Sequence, residues 1–116
     1  MKTILVAEDN DGNYILMTYI LKKNYNIVMA ANGQEAVEKV ASGGIDMILM
    51  DIKMPVMDGL EATKIIRKDN PDLPIIALTA NAYESDRESA YEAGCNDFIA
   101  KPVNCQMTLD TIAKYI

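Results

Sequence analysis

Five short apolar runs, "TILVA" (3–7), "NIVMA" (26–30), "DMILM" (46–50), "PIIALT" (74–79) and "DFIA" (97–100), alternate along the chain with longer stretches of helical periodicity. Ile15, Leu16, Tyr19 and Ile20 are spaced to share one helix face, as are Ala36, Val37 and Val40, and then Ala62, Ile65 and Ile66. "SDRESAYEAG" (85–94) predicts a fourth helix stopped by Gly94. Leu109, Ile112, Ala113 and Ile116 recur at i, i+3, i+4 and i+7 for a fifth. Strands that are apolar on both faces and separated by helices must be covered on both sides. The pattern therefore predicts an α/β, (βα)5 three-layer sandwich around a parallel sheet with right-handed crossovers.

A chain of 116 residues suits a single domain spanning 1–116. It has a formal net charge of −6 and no histidine. The charge argues against direct nucleic-acid binding, and the missing histidine removes the usual general base and metal ligand. Cys95 and Cys105 lack CxxC spacing and read as small buried or partly buried thiols, which fits a reducing cytoplasm. The apolar run after Met1 is too short for a signal peptide. The longest uncharged stretch, 73–83, is far short of a membrane span, so no membrane contact is expected.

In an open parallel sheet, ligands bind beyond the carboxyl ends of the strands. There the first strand delivers Glu8 and Asp9, the third Asp51, the fourth Thr79 and the fifth Lys101. A carboxylate after "MILM" is costly unless cations, donors or water meet it. Three acids without histidine or thiolate make a hard-oxygen site suited to Mg²⁺. Asp9 and Asp51 are the expected direct ligands. Glu8 should act through water, because neighbouring strand residues point to opposite sides. With Lys101 as a point charge and Thr79 as a hydroxyl donor, Asp51 becomes a candidate nucleophile toward a phosphoryl group.

"ILVAEDN", "MDIKMPVMDGLEA", "IIALTA" and "FIAKP" stand in the order and spacing of a response-regulator receiver domain, and the chain resembles that family from about Lys2 to Ile116. "MDIKMPVMDGLEA" and "ALTANA" look most like receivers attached to hybrid sensor histidine kinases. The resemblance implies a flavodoxin-like sheet of order 2-1-3-4-5. It implies that Asp51 accepts phosphate from the phosphohistidine of a histidine kinase or histidine phosphotransfer domain in a two-component phosphorelay, with slow autodephosphorylation. It further implies that Asp9, Asp51 and the Lys53 carbonyl bind Mg²⁺ with help from Glu8. Thr79 and Lys101 would bind the phosphoryl group. Thr79 and Phe98 would switch the face made by the fourth helix, fifth strand and fifth helix, which is also the surface for a dimer. Lys101-Pro102 resembles the family's cis peptide.

Plainer readings stand beside these. Asp9 could cap the first helix, and Asp58 is better read as the cap of the third. Lys101 alone would be a surface lysine and Thr79 a β-branched strand residue, while the eight methionines are core filler. Phe98 departs from the tyrosine of many receivers and lacks a hydroxyl to latch an outward state; it could equally be core. A haloacid-dehalogenase-type phosphatase would need a second Asp where Lys53 stands, and a dinucleotide-binding fold would need GxGxxG after the first strand. An interaction domain that is never phosphorylated remains the third alternative. With no output segment after Ile116, a partner chain or a further part of the same protein is expected to carry the output, in a stand-alone regulator or a hybrid kinase.

Overall fold

The computed structural model describes residues 1–80, 84–101 and 103–116. Strands and helices alternate as β1 (Thr3–Ala7), α1 (Asp11–Leu21), β2 (Asn26–Ala30), α2 (Gly33–Ala41), β3 (Met47–Asp51), α3 (Gly59–Asp69), β4 (Ile75–Thr79), α4 (Glu84–Ala93), β5 (Asp97–Ala100) and α5 (Cys105–Ala113). All pairings are parallel, in the order β2-β1-β3-β4-β5. The (βα)5 sandwich and its sheet order are those expected.

Alternation along the central strands sorts their side chains into two cores. Leu5, Ala7, Ile48, Met50, Ile75 and Ala77 meet Ala36 and Val40 of α2, Ala62 and Ile66 of α3, and Ala90 of α4. Ile4, Val6, Met47, Leu49, Ile76, Leu78 and Ile99 meet Met17, Ile20 and Leu21 of α1 and Ile112 of α5. Each fully buried aliphatic side chain adds about 1.5–3 kcal/mol relative to exposure, so these layers supply the main driving force.

Four helix starts are fixed by side-chain caps. Asn10, Asn32, Asp58 and Asn104 accept from the backbone N–H groups of Asn13, Glu35, Glu61 and Met107 at 2.8–2.9 Å. Each such cap is worth about 1 kcal/mol. Asp58 therefore caps α3 as expected, whereas α1 is capped by Asn10 and not by Asp9. Gly94 ends α4 with φ 115°, a backbone state that a Cβ would strain.

Several sequence expectations need correction. On α1, Ile15 and Tyr19 are 66% and 68% exposed and Leu16 is exposed as well, while Met17, Ile20 and Leu21 are buried. This helix is apolar nearly all round, so periodicity could not select its inner face. On α5, Ala113 is exposed and Thr108 and Thr111 are buried; the Thr111 hydroxyl donates to the Met107 carbonyl, which makes its burial tolerable, whereas the Thr108 hydroxyl has no hydrogen-bond partner among the described residues. Cys105 is exposed at the start of α5, whereas Cys95 is buried against Thr63. β3 starts at Met47, one residue later than expected; Asp46 precedes it, its N–H donating to the Thr3 carbonyl and its carboxylate accepting from the Thr3 N–H. Asp51 thus becomes the last strand residue. The Lys101-Pro102 peptide lies outside the described residues.

The loop from β3 to α3 is tight. The Met57 N–H donates to the Pro55 carbonyl at 2.7 Å, closing a three-residue turn around Val56 at φ 67°. A β-branched residue in that region costs on the order of 1–3 kcal/mol. Gly59 follows, its N–H donating to the Ile52 carbonyl, and a Cβ there would be driven into the Asp51 carbonyl oxygen. Gly59→Ala is expected to destabilise the fold by about 2 kcal/mol or more, measured by urea unfolding. Unchanged stability would show that this backbone approach is slack.

Candidate functional site

Strand register decides which side chains meet. Ala7 pairs with Met50, Asp51 with Leu78, and Thr79 with Ala100. The residues at or just past those pairs, Glu8, Asp51, Thr79 and Lys101, therefore gather at one edge of the sheet. The Lys101 N–H donates to the Thr79 carbonyl at 2.7 Å, which extends the ladder up to the lysine and aims its side chain across β4.

The Lys101 ammonium donates to Asp51 Oδ2 at 2.9 Å and lies 3.0 Å from Glu8 Oε2. Glu8 is buried, and its other oxygen, Oε1, accepts from the Asn10 N–H at 3.2 Å. Asp51 is buried, and its Oδ1 accepts from the Lys53 N–H at 3.1 Å. Asp9 is exposed, yet one oxygen from each of Glu8, Asp9 and Asp51 lies within 4.8 Å of the others. Thr79 is buried and lines a pocket of about 140 Å³ with Asp51, Lys53, Asp86 and Lys101. All of the site residues expected from the sequence come together here except Phe98, which sits on β5 beneath α4. Asp86 was missed, since its first-turn position on α4 carries no motif.

Three carboxylates and one ammonium leave a formal excess of two negative charges at this edge. The donors are all oxygens, and a divalent hard cation would balance them. Glu8 and Asp51 are engaged alike, each with one oxygen on the Lys101 ammonium and the other on a backbone N–H, of Asn10 and of Lys53 respectively.

The charges perturb each other. Burial pushes the Glu8 carboxyl above its ordinary 4.5, and Asp51 adds to the rise, which outweighs the opposing hydrogen bond from Lys101. Burial alone would lower Lys101, but its bonds to Asp51 and Glu8 prevail and lift it above 10.5.

The fold and the site together define a flavodoxin-like α/β sandwich with an acidic, lysine-bridged cluster at the carboxyl ends of its strands, and comparison with known proteins gives the family. The response regulator receiver domain family matches residues 4–113, and the chain belongs to it. Hybrid signal transduction histidine kinase M of Dictyostelium discoideum is 40% identical over 121 residues, covering 97% of this chain and 5% of the kinase. The chain thus spans only a small part of that relative. The receiver domain of a Pseudomonas aeruginosa sensor histidine kinase, solved with magnesium coordinated in its active-site cleft, superposes with a TM-score of 0.92 at 38% identity over 98% of this chain and 96% of that one. A Saccharomyces cerevisiae response-regulator receiver domain, co-crystallised with its histidine phosphotransfer protein, gives 0.93 at 34% identity over 98% and 88%. This chain is a response-regulator receiver domain, and among the described residues no helix is long and apolar enough to cross a membrane.

A pH test follows from Glu8. Its folded-state pKa is raised, so the folded protein holds this proton more tightly than the unfolded chain. Its contribution to stability therefore falls as pH rises from 4.5 through the raised value. In metal-free buffer, stability measured by urea unfolding should decline over that window more steeply in wild type than in Glu8→Gln. Equal slopes would show that Glu8 ionises without penalty.

Proposed function

We propose that Asp51 accepts a phosphoryl group from the phosphohistidine of a histidine kinase or histidine phosphotransfer domain. The observation that carries this reading is the buried Asp51 carboxylate at the end of β3, with the Lys101 ammonium 2.9 Å away and Glu8 and Asp9 alongside. An Asp51 oxygen attacks phosphorus; the new P–O bond forms as the P–N bond breaks, and the imidazole nitrogen leaves with the electron pair and takes a proton from water. The product is an acyl phosphate.

Asp9, Asp51 and the Lys53 backbone carbonyl would hold Mg²⁺, with Glu8 acting through water. When bound, the ion supplies charge neutralisation at the phosphoryl oxygens. Lys101 stabilises the same oxygens from its position beside Asp51, and the Thr79 hydroxyl, at the pocket wall, donates to them once phosphate is present. Thr79 and Phe98 then report the event on the face built by α4, β5 and α5, which is also the surface for pairing of two copies. The partner approaches over the same edge. Exposed Ile15, Leu16 and Tyr19 on α1 give a helical phosphotransfer partner an apolar landing strip. A cytoplasmic location follows from that partnership.

Incubation with acetyl phosphate and Mg²⁺ should add one acid-labile phosphate to the intact mass, and Asp51→Asn should abolish it. Undiminished labelling in that variant would move the nucleophile elsewhere.

Metal binding can be read separately. Millimolar Mg²⁺ at matched ionic strength should raise the melting temperature by a few degrees, because it relieves the excess negative charge, and Asp9→Asn should blunt the rise. An identical shift in that variant would take Asp9 out of the ligand set.

A further inference from the structure

One residue lining the Asp51 pocket comes from α4, and it brings a charge that phosphoryl transfer to Asp51 does not use. Asp86, the third residue of α4, lines the pocket with Asp51, Lys53, Thr79 and Lys101 and is half-buried. Among the described residues its carboxylate forms no ion pair: Lys101 is held by Glu8 and Asp51, and Lys53, which lines the same pocket, does not pair with it. The next residue points a different way. Arg87 places its guanidinium 4.7 Å from the centre of the Phe98 ring, and Tyr91, one turn on, meets that ring edge-on at 6.5 Å and 89°. One helix thus touches the pocket with one side chain and grips Phe98 with the following one.

We propose that Asp86 is a positioning residue that opposes phosphoryl occupancy of the pocket and transmits that repulsion through α4 to Phe98. The inference rests on the phosphoacceptor reading of Asp51. A phosphoryl group brings about 1.5–2 negative charges into a pocket that already contains the Asp86 carboxylate. It also competes with Asp86 for the positive end of the α4 dipole. Retreat of the first turn of α4 relieves both conflicts, and it carries Arg87 away from the ring. Phe98 is partly buried against the core beneath α4 and has no hydroxyl to anchor it, so the guanidinium and the Tyr91 edge are its latch, and losing them frees the ring to turn. Phosphoryl charge thereby reaches the α4-β5-α5 face by a push on Asp86, alongside any pull through Thr79.

The test uses beryllofluoride with Mg²⁺ as the phosphoryl mimic, titrated by calorimetry and followed by ring and amide resonances of Phe98. Asp86→Asn should bind the mimic about fivefold more tightly, the Coulomb effect of one charge across a partly hydrated pocket. The Phe98 shift on binding should shrink in the same variant. Asp86→Glu, which keeps the charge, should match wild type in both measurements. Arg87→Met should move the free-state Phe98 resonances toward their bound positions without any ligand. Asp86→Asn affinity within about twofold of wild type, or an undiminished Phe98 shift in that variant, overturns the proposal. If that happens while Asp51→Asn still abolishes binding, the phosphoacceptor reading stands and only the role of Asp86 falls. No binding by wild type overturns both.

Discussion

Lys101 lies just past the end of β5, and its ammonium crosses β4 to reach Asp51 on β3 and Glu8 beyond β1. Two buried carboxylates at the edge of an apolar sheet would each cost several kcal/mol if left unpaired. A single cation shared between them, with backbone N–H groups of Asn10 and Lys53 on the remaining oxygens, makes the arrangement tolerable without neutralising it. The residual negative charge is what suits this edge to a divalent cation. A fully compensated cluster would have no such pull on a metal ion.

The opposite end of the sheet is built for rigidity. Arg67 of α3 donates to the carbonyls of Gly94, Asn70 and Leu73 and to the Asn96 side chain, while Asn96 Oδ1 also accepts from the Ile75 N–H. The Tyr115 hydroxyl, past α5, lies 3.2 Å from both the Asn96 carbonyl and Asp97 Oδ2, and Asp97 helps raise its pKa after burial. One guanidinium therefore ties α3, the start of β4 and the turn before β5 into a single block. Held at that end, α4 and β5 keep Arg87 and Phe98 in register while the pocket end stays poised for charge.

α1 shows where sequence patterning loses its power. Its outer residues Ile15, Leu16 and Tyr19 are as apolar as the inner Met17, Ile20 and Leu21, so two stripes competed for the core. The sheet took the one that fits between β1 and α5. What is left outside is an apolar face, which a monomer gains nothing by exposing.

The five apolar runs, their separation by amphipathic helices and the polar residues at strand ends were enough to predict the parallel sandwich and the meeting of Glu8, Asp9, Asp51, Thr79 and Lys101 at one edge, while the family and the sheet order were implied by the resemblance of four motifs. That much is legible because strand period and chain order alone dictate which ends share an edge. Other features depend on the packed geometry. Glu8, next to exposed Asp9 in the chain, is the buried member of the pair because the register at β1 turns it toward Lys101. Thr108 and Thr111 enter the core because α5 lies against the sheet at a phase its leucine and isoleucine spacing does not fix. Asp86 and Arg87 are an unremarkable charged pair in the sequence. Only the seating of α4 gives them opposite targets, the pocket and the Phe98 ring, because adjacent helical side chains diverge by about 100° and each meets whatever tertiary structure has put there.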